Sequence, residues 1–250
     1  MWTEYSTSEK RSLVLIFAFS LSALFSFSVA EKPAVAESSS EEYTTDFRLE
    51  ECTFINKGRN PYFVLEPGYK LELKGFEGKD FVELTITVLK ETQFISFTSS
   101  KNVAMRVETR VVEEVEKAGG QERERSRNYF AICKENNNVV YFGEDVVPTT
   151  IGGSWRAGVG GAQPGLIMPG TFLLGARYFQ EIAPPDAMDR ALHTAMGLPV
   201  VTDAGTFSEC VEVVETTPLD ASARSLKVYC PGIGLVRDGT LTLTDWSERR

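Results

Sequence analysis

Five carboxylates, Glu144, Asp145, Glu181, Asp186 and Asp189, flank a glycine-rich stretch of this chain. Two carboxyl groups held a few ångströms apart are the equipment of glycoside hydrolysis, one giving a proton while the other attacks or activates water. With 35 Asp and Glu in 250 residues, however, a solvated face or a loop cap is the commoner fate of such groups. The same oxygens lack the D-x-D-x-D-G order of a calcium loop. Gly152-Gly-Ser-Trp-Arg156 approaches the G-x-S-x-G elbow of a serine hydrolase but ends in Arg where the second Gly belongs. His193, the only histidine, would need a free Cys to make a nucleophile and base, and exported cysteines more often bridge. None of Cys52, Cys133, Cys210 and Cys230 has C-x-x-C spacing, so no zinc site is expected. Gly158 to Gly165 lacks the glycine spacing and the lysine of a phosphate cradle, and Pro164 stands where a helix would start. The residues therefore point to no catalytic group, no metal and no cofactor. A hydrolase built on Glu144, Glu181 or Asp189 ranks last among the readings.

The glycine-rich stretch itself carries more information. Trp155, Leu166, Ile167, Met168, Phe172 and Tyr178 are large apolar groups on or beside a flexible backbone. Such a segment either plugs the open end of a curved sheet or lines a pocket. Plugging is the simpler role, since an uncovered concave sheet exposes much apolar surface. If the segment lines a pocket, Trp155, Met168, Tyr178, Gln180 and Glu181 are the candidate ligand contacts.

The elements that would position these groups are mainly strands. Val82, Leu84, Ile86 and Val88 alternate with Glu83, Thr85 and Thr87, and Met105, Val107 and Val111 alternate with Arg106, Glu108 and Arg110. This is the pattern of strands with one wet face. Pro67-Gly68, Glu77-Gly78, Gly119-Gly120, Asn136 to Asn138, Ala204-Gly205 and Asp238-Gly239 supply turns between them. Connections this short make antiparallel hairpins. Residues 152 to 175, with eight glycines, read as a long structured loop and not a strand. Pro184 to Gly197 has helical spacing at Ala187, Ala191, Leu192 and Ala195, with Asp186 as a cap and Gly197 as a stop, and reads as a short helix or an irregular strand.

The N-terminus sets the compartment. Lys10-Arg11 precede a run of apolar residues and serines from Ser12 to Phe27, and Ser28-Val29-Ala30 provides the small residues of a cleavage site. Residues 1–30 are thus expected to be a signal peptide, with Ala34-Val35-Ala36 as the alternative site. No membrane span is expected after cleavage. Residues 31–46, polar and acidic, read as a flexible linker, and 47–246 as one β-rich domain. The formal charge of −9 argues against nucleic acid. The four cysteines allow up to two disulfides in three complete pairings, or remain as small buried apolar groups.

Five stretches together carry a resemblance. They are Asn60-Pro-Tyr-Phe-Val-Leu-Glu-Pro-Gly68, Val140-Tyr-Phe-Gly-Glu-Asp145, Gly153-Ser-Trp-Arg-Ala-Gly-Val-Gly-Gly-Ala162 continuing to Pro164-Gly-Leu-Ile-Met-Pro-Gly170, Tyr178-Phe-Gln-Glu181, and Tyr229-Cys-Pro-Gly-Ile-Gly-Leu-Val236. In this order the chain resembles an uncharacterised family of exported bacterial proteins. The resemblance implies a curved antiparallel sheet, distantly similar to the periplasmic lipoprotein carriers, and brings no catalytic residues with it. The charged run Glu113 to Arg127 and His193 lie outside the pattern. A hairpin of Thr206–Val214 with Leu226–Cys230, centred near 220–223, would set Cys210 opposite Cys230 and make them the preferred bridge. The expected fold is an antiparallel curved sheet or half-barrel covered by the glycine-rich segment, secreted or periplasmic. The expected function is non-enzymatic binding of an apolar small molecule, lipid or peptide segment, or else service as an interaction module docking another protein of the cell envelope.

Overall fold

The computed structural model describes residues 42–150 and 152–248. The expected signal peptide and residues 31–41 of the expected linker lie outside them. Apart from one 3-10 turn at Leu49–Glu51, the regular structure is all strand. Three two-residue pieces, β1 (Phe54–Ile55), β2 (Arg59–Asn60) and β3 (Phe63–Val64), come first. A long meander follows: β4 (Tyr69–Glu77), β5 (Asp80–Thr98), β6 (Ala104–Ala118), β7 (Gln121–Cys133) and β8 (Val139–Val147). Four short strands come next, β9 (Trp155–Arg156), β10 (Gln163–Met168), β11 (Arg177–Phe179) and β12 (Glu181–Ile182). A second meander ends the chain: β13 (Arg190–Thr202), β14 (Gly205–Thr217), β15 (Asp220–Cys230), β16 (Gly234–Asp238) and β17 (Leu241–Glu248). Among the described residues no helix is long and apolar enough to cross a membrane.

Local chemistry explains the hairpins. Val82, Leu84 and Val88 are buried on β5 as their alternation requires. Ala118 pairs with Gln121 across Gly119-Gly120, and both glycines have positive φ, which a two-residue hairpin turn of the primed type needs. The meanders are stitched together by β17 on β4, with Leu243 opposite Leu73. Both side chains are fully buried.

The sheet runs β11-β13-β14-β15-β16-β17-β4-β5-β6-β7-β8-β10-β12, every pair antiparallel. Its two edge strands, β11 and β12, are consecutive in the chain and separated by Gln180 alone. The sheet has therefore curled into a half-barrel whose edges meet at a single-residue seam. Gly165 on β10 lets the seam approach, because a Cβ there would stand 2.4 Å from the Phe179 carbonyl oxygen and 2.5 Å from that of Gln180.

Several segments differ from the sequence reading. The glycine-rich stretch is not wholly loop, since Gln163–Met168 forms β10 against β8 and β12. Of the two readings of Pro184 to Gly197, the irregular strand holds from Arg190 and the helix does not form. Residues 183–187 make a tight turn, with Asp186 N–H donating to Ala183 O, and Arg190 onward pairs with β14. Long-range pairing outcompetes the helical spacing there, and Gly197, at φ 71°, sits among the register shifts of that pairing. Arg110, assigned to the wet face of β6, is buried. A register shift between Val88 and Thr92 breaks the alternation, and the guanidinium donates to the carbonyls of Lys90 (2.7 Å) and Glu91 (3.3 Å) within that irregularity and to the Asn56 carbonyl (2.8 Å) just after β1. Residues 43–46 of the expected linker are docked: Thr44 N–H donates to Arg177 O, and Asp46 pairs with Lys101 at 3.0 Å.

Two disulfides are present. Cys210 and Cys230 lie opposite each other in the register of β14 and β15, with Cα atoms 4.2 Å apart. Cys52 bridges Cys133, Cα to Cα 5.1 Å, tying the segment before β1 to the end of β7. Two bridges fit an oxidising compartment.

Candidate functional site

The concave face encloses a cavity of about 430 Å3. Period-two alternation decides its lining. On β6 the inward positions are Val112, Glu114 and Glu116, and on β7 they include Glu124, Asn128 and Phe130. Because Glu116 pairs with Glu124 and Val112 with Asn128, the acids of both strands gather towards the Gly119-Gly120 turn. β14 and β15 repeat the gradient: Thr217 and Glu215 lie near their turn, and Tyr229 lies deeper. The mouth is marked by Gly152, Asp186 and Leu219, all exposed. The floor is apolar, with Val64, Leu71, Val88, Val112, Phe130 and Leu235.

The wall between floor and mouth is acidic. Glu114, Glu116, Glu124, Glu144, Glu181, Asp186, Asp189 and Glu215 face the cavity, against Lys227 as the one cation in its lining. Desolvation disfavours the charged carboxylates. It pushes Glu114 up to about 7, with Asp238, Glu124 and Glu215 adding repulsion and Lys227 opposing it. It pushes Glu144 up to about 8, reinforced by Glu114. Burial also raises Glu181, which is 3% exposed and accepts from the Asp189 N–H. Glu215 is raised by burial too, though it accepts from Gln180 Nε2 at 2.7 Å. Burial works against the Lys227 ammonium, but Asp238 at 2.8 Å and Glu215 at 3.5 Å hold it charged. Tyr141 donates to Asn128 Oδ1 at 2.5 Å. Glu114 makes no hydrogen bond among the described residues.

The residues singled out from sequence divide into two sets. Gln180 and Glu181, at the seam, line the cavity. Trp155, Met168 and Tyr178 are buried in the packed core and are not among its lining residues, whereas their neighbour Ile167 is. Tyr178 is instead committed to His193. The His193 Nδ1 must carry the proton, because it meets the Leu173 carbonyl at 2.9 Å, so Nε2 accepts from the Tyr178 hydroxyl, also at 2.9 Å. The imidazole stacks on Phe172 with ring centroids 3.7 Å apart. Burial pushes it down to about 4, the bond to Leu173 resisting. It is a neutral core histidine.

Of the carboxylates flanking the glycine-rich stretch, Glu144, Glu181, Asp186 and Asp189 converge on the cavity. Asp145 turns elsewhere, to Tyr129 and Arg156. The acids missed are Glu114, Glu116 and Glu124, which lie inside the charged run set aside above, and Glu215 on β14. A signal existed in that run: Glu114 and Glu116 follow Val112 at two-residue spacing, which puts acids on a face that starts apolar. Among the described residues, three metal-capable side chains with ligand atoms within 4.8 Å of one another occur at Cys52, Cys133 and Glu135, and those sulfurs form a disulfide. None of the cavity carboxylates forms such a group.

The fold and site thus define a β half-barrel with a lined interior, apolar at its base and acidic towards its mouth. Comparison with protein-family models, curated proteins and solved structures gives no match to this chain.

Proposed function

We propose that this chain is an exported, non-enzymatic binding protein that holds an amphipathic small molecule inside its half-barrel, apolar part inward. The observation that carries this reading is the cavity itself. Its volume of about 430 Å3 falls in the roughly 300–1,000 Å3 range of small-molecule sites, and its apolar floor ends in ordered polar groups. An unfilled interior disfavours the alternative of a purely structural module, whose concave face would be packed. The sequence at residues 1–30 and the two disulfides support secretion or a periplasmic location, and the resemblance to exported bacterial proteins agrees. Native mass spectrometry of the mature protein, incubated with decanol, tests the reading. A one-to-one adduct is expected, and failure to take up any C10 alkyl compound overturns it.

The convergence of Glu144 with Glu181 and Asp189 favours a second reading, acid–base hydrolysis, with Glu144 held protonated as the acid. Turnover of aryl glycosides by the wild type and not by Glu144→Gln would establish it. No turnover across such a panel removes it.

A further inference from the structure

We infer that the polar head of the bound molecule is a cation, a protonated amine carried on an apolar chain and seated among the carboxylates below the mouth. This rests on the cavity being a binding site, as proposed above, and adds the chemical class of its occupant.

The first ground is charge. Eight carboxyl groups face the space with one lysine, and that lysine is already engaged by Asp238 and Glu215. A cationic head favours the ionised form of these buried acids and is favoured by it, whereas an anionic head would drive them further towards protonation and a neutral one would leave them to one another.

The second ground is independent of the acids. Tyr229 is 5% exposed and lines the cavity, yet its hydroxyl has no hydrogen-bond partner among the described residues. Its oxygen opens on the cavity, so whatever occupies that space, water or ligand, must supply its partner. An ammonium N–H entering the cavity supplies the missing donor to its oxygen. The rings of Tyr229, Tyr141 and Phe130, which also line the space, offer the π faces that attract ammonium groups.

The third ground is spacing. A calcium ion needs six to eight oxygens at about 2.3–2.6 Å, and the cavity carboxylates do not cluster tightly enough for even three to share an ion. They line a wider space beside an apolar floor, which suits an extended organic cation.

Isothermal titration of the mature, disulfide-intact protein at pH 7.5 tests this with decylammonium, decanol and decanoate, which share one chain and differ in head charge. Decylammonium should bind about tenfold or more tightly than decanol, with decanoate weakest. In Glu114→Gln, the preference for decylammonium over decanol should fall about fivefold; an unchanged preference, with both affinities shifted equally, would show a packing effect and count against the inference. Decanol or decanoate binding as tightly as decylammonium overturns the cationic head but leaves the binding reading intact. No binding by any of the three overturns both. Circular dichroism and the melting curve of the variant report its folding, and the three wild-type titrations decide the question without it.

Discussion

Glu114 sets the behaviour of the empty cavity, and its replacement has a calculable signature. In the unfolded chain this carboxyl loses its proton near 4.5, whereas in the fold it holds it up to about 7. Between those values the folded state binds more protons than the unfolded state, so stability falls as pH rises through this window and the full loss is reached above 7. At about 1.4 kcal/mol per unit, a difference of 2.5 (7 − 4.5) amounts to roughly 3 kcal/mol. Glu114→Gln keeps the shape and removes the charge. At pH 8 the variant should be more stable by about 2–3 kcal/mol, a rise in Tm of roughly 5–10 °C for a domain of this size. At pH 4, where the native side chain is neutral in both states, the two proteins should melt together. Scanning calorimetry at pH 4, 6 and 8, without ligand, provides the comparison. Equal melting at pH 8, or the same displacement at every pH, would refute the account of Glu114 as a buried acid facing other acids.

His193 should act in the opposite direction. Its folded value of about 4 against 6.5 means that stability is fully present above 6.5 and declines by roughly 3 kcal/mol as pH falls to 4; urea midpoints should show this slope, and His193→Gln should flatten it. Replacing Cys52 and Cys133 by Ala frees a loop of 81 residues, against 20 for Cys210 and Cys230. Chain entropy puts these losses at about 4.5 and about 3.3 kcal/mol, so the first double variant should unfold at the lower denaturant concentration, and the reverse order would contradict a purely entropic role. Gly165→Ala would drive a methyl group into the seam carbonyls and should cost about 3 kcal/mol or more, read by chemical denaturation; a variant as stable as wild type would show that the seam has room to move.

Where alternation was uninterrupted, the sequence was readable. Val82 to Val88, the Gly119-Gly120 turn and the placement of Cys210 opposite Cys230 all follow from period two and turn chemistry. The reading fell short where a second strand overrode a local signal. Helical spacing in 187–195 left helix and irregular strand both open until pairing with β14 decided for the strand, and a register shift on β5 drew Arg110 inward. The site was half legible. Gln180 and Glu181 stood out through their motif. Glu114, Glu116 and Glu124 were hidden, because acids on a strand normally mark its wet face, and only closure of the sheet turns that face into an interior. Trp155 and Met168 looked like pocket residues because large groups beside glycines do either job, and packing against the core claimed them.

The seam at Gln180 has a kinetic consequence. Neither edge strand can dock until its own meander exists, since β11 lies on β13 and β12 lies on β10, and both meanders must already share the β4–β17 junction. The β4–β17 pairing joins residues far apart in the chain, such as Leu73 and Leu243, which makes it the slow one to form. The interior is complete only once that distant junction has formed, so it should come into being late in folding. In a refolding experiment, capacity to bind a C10 ligand should lag behind the recovery of β-sheet circular dichroism, and simultaneous recovery would place that junction earlier.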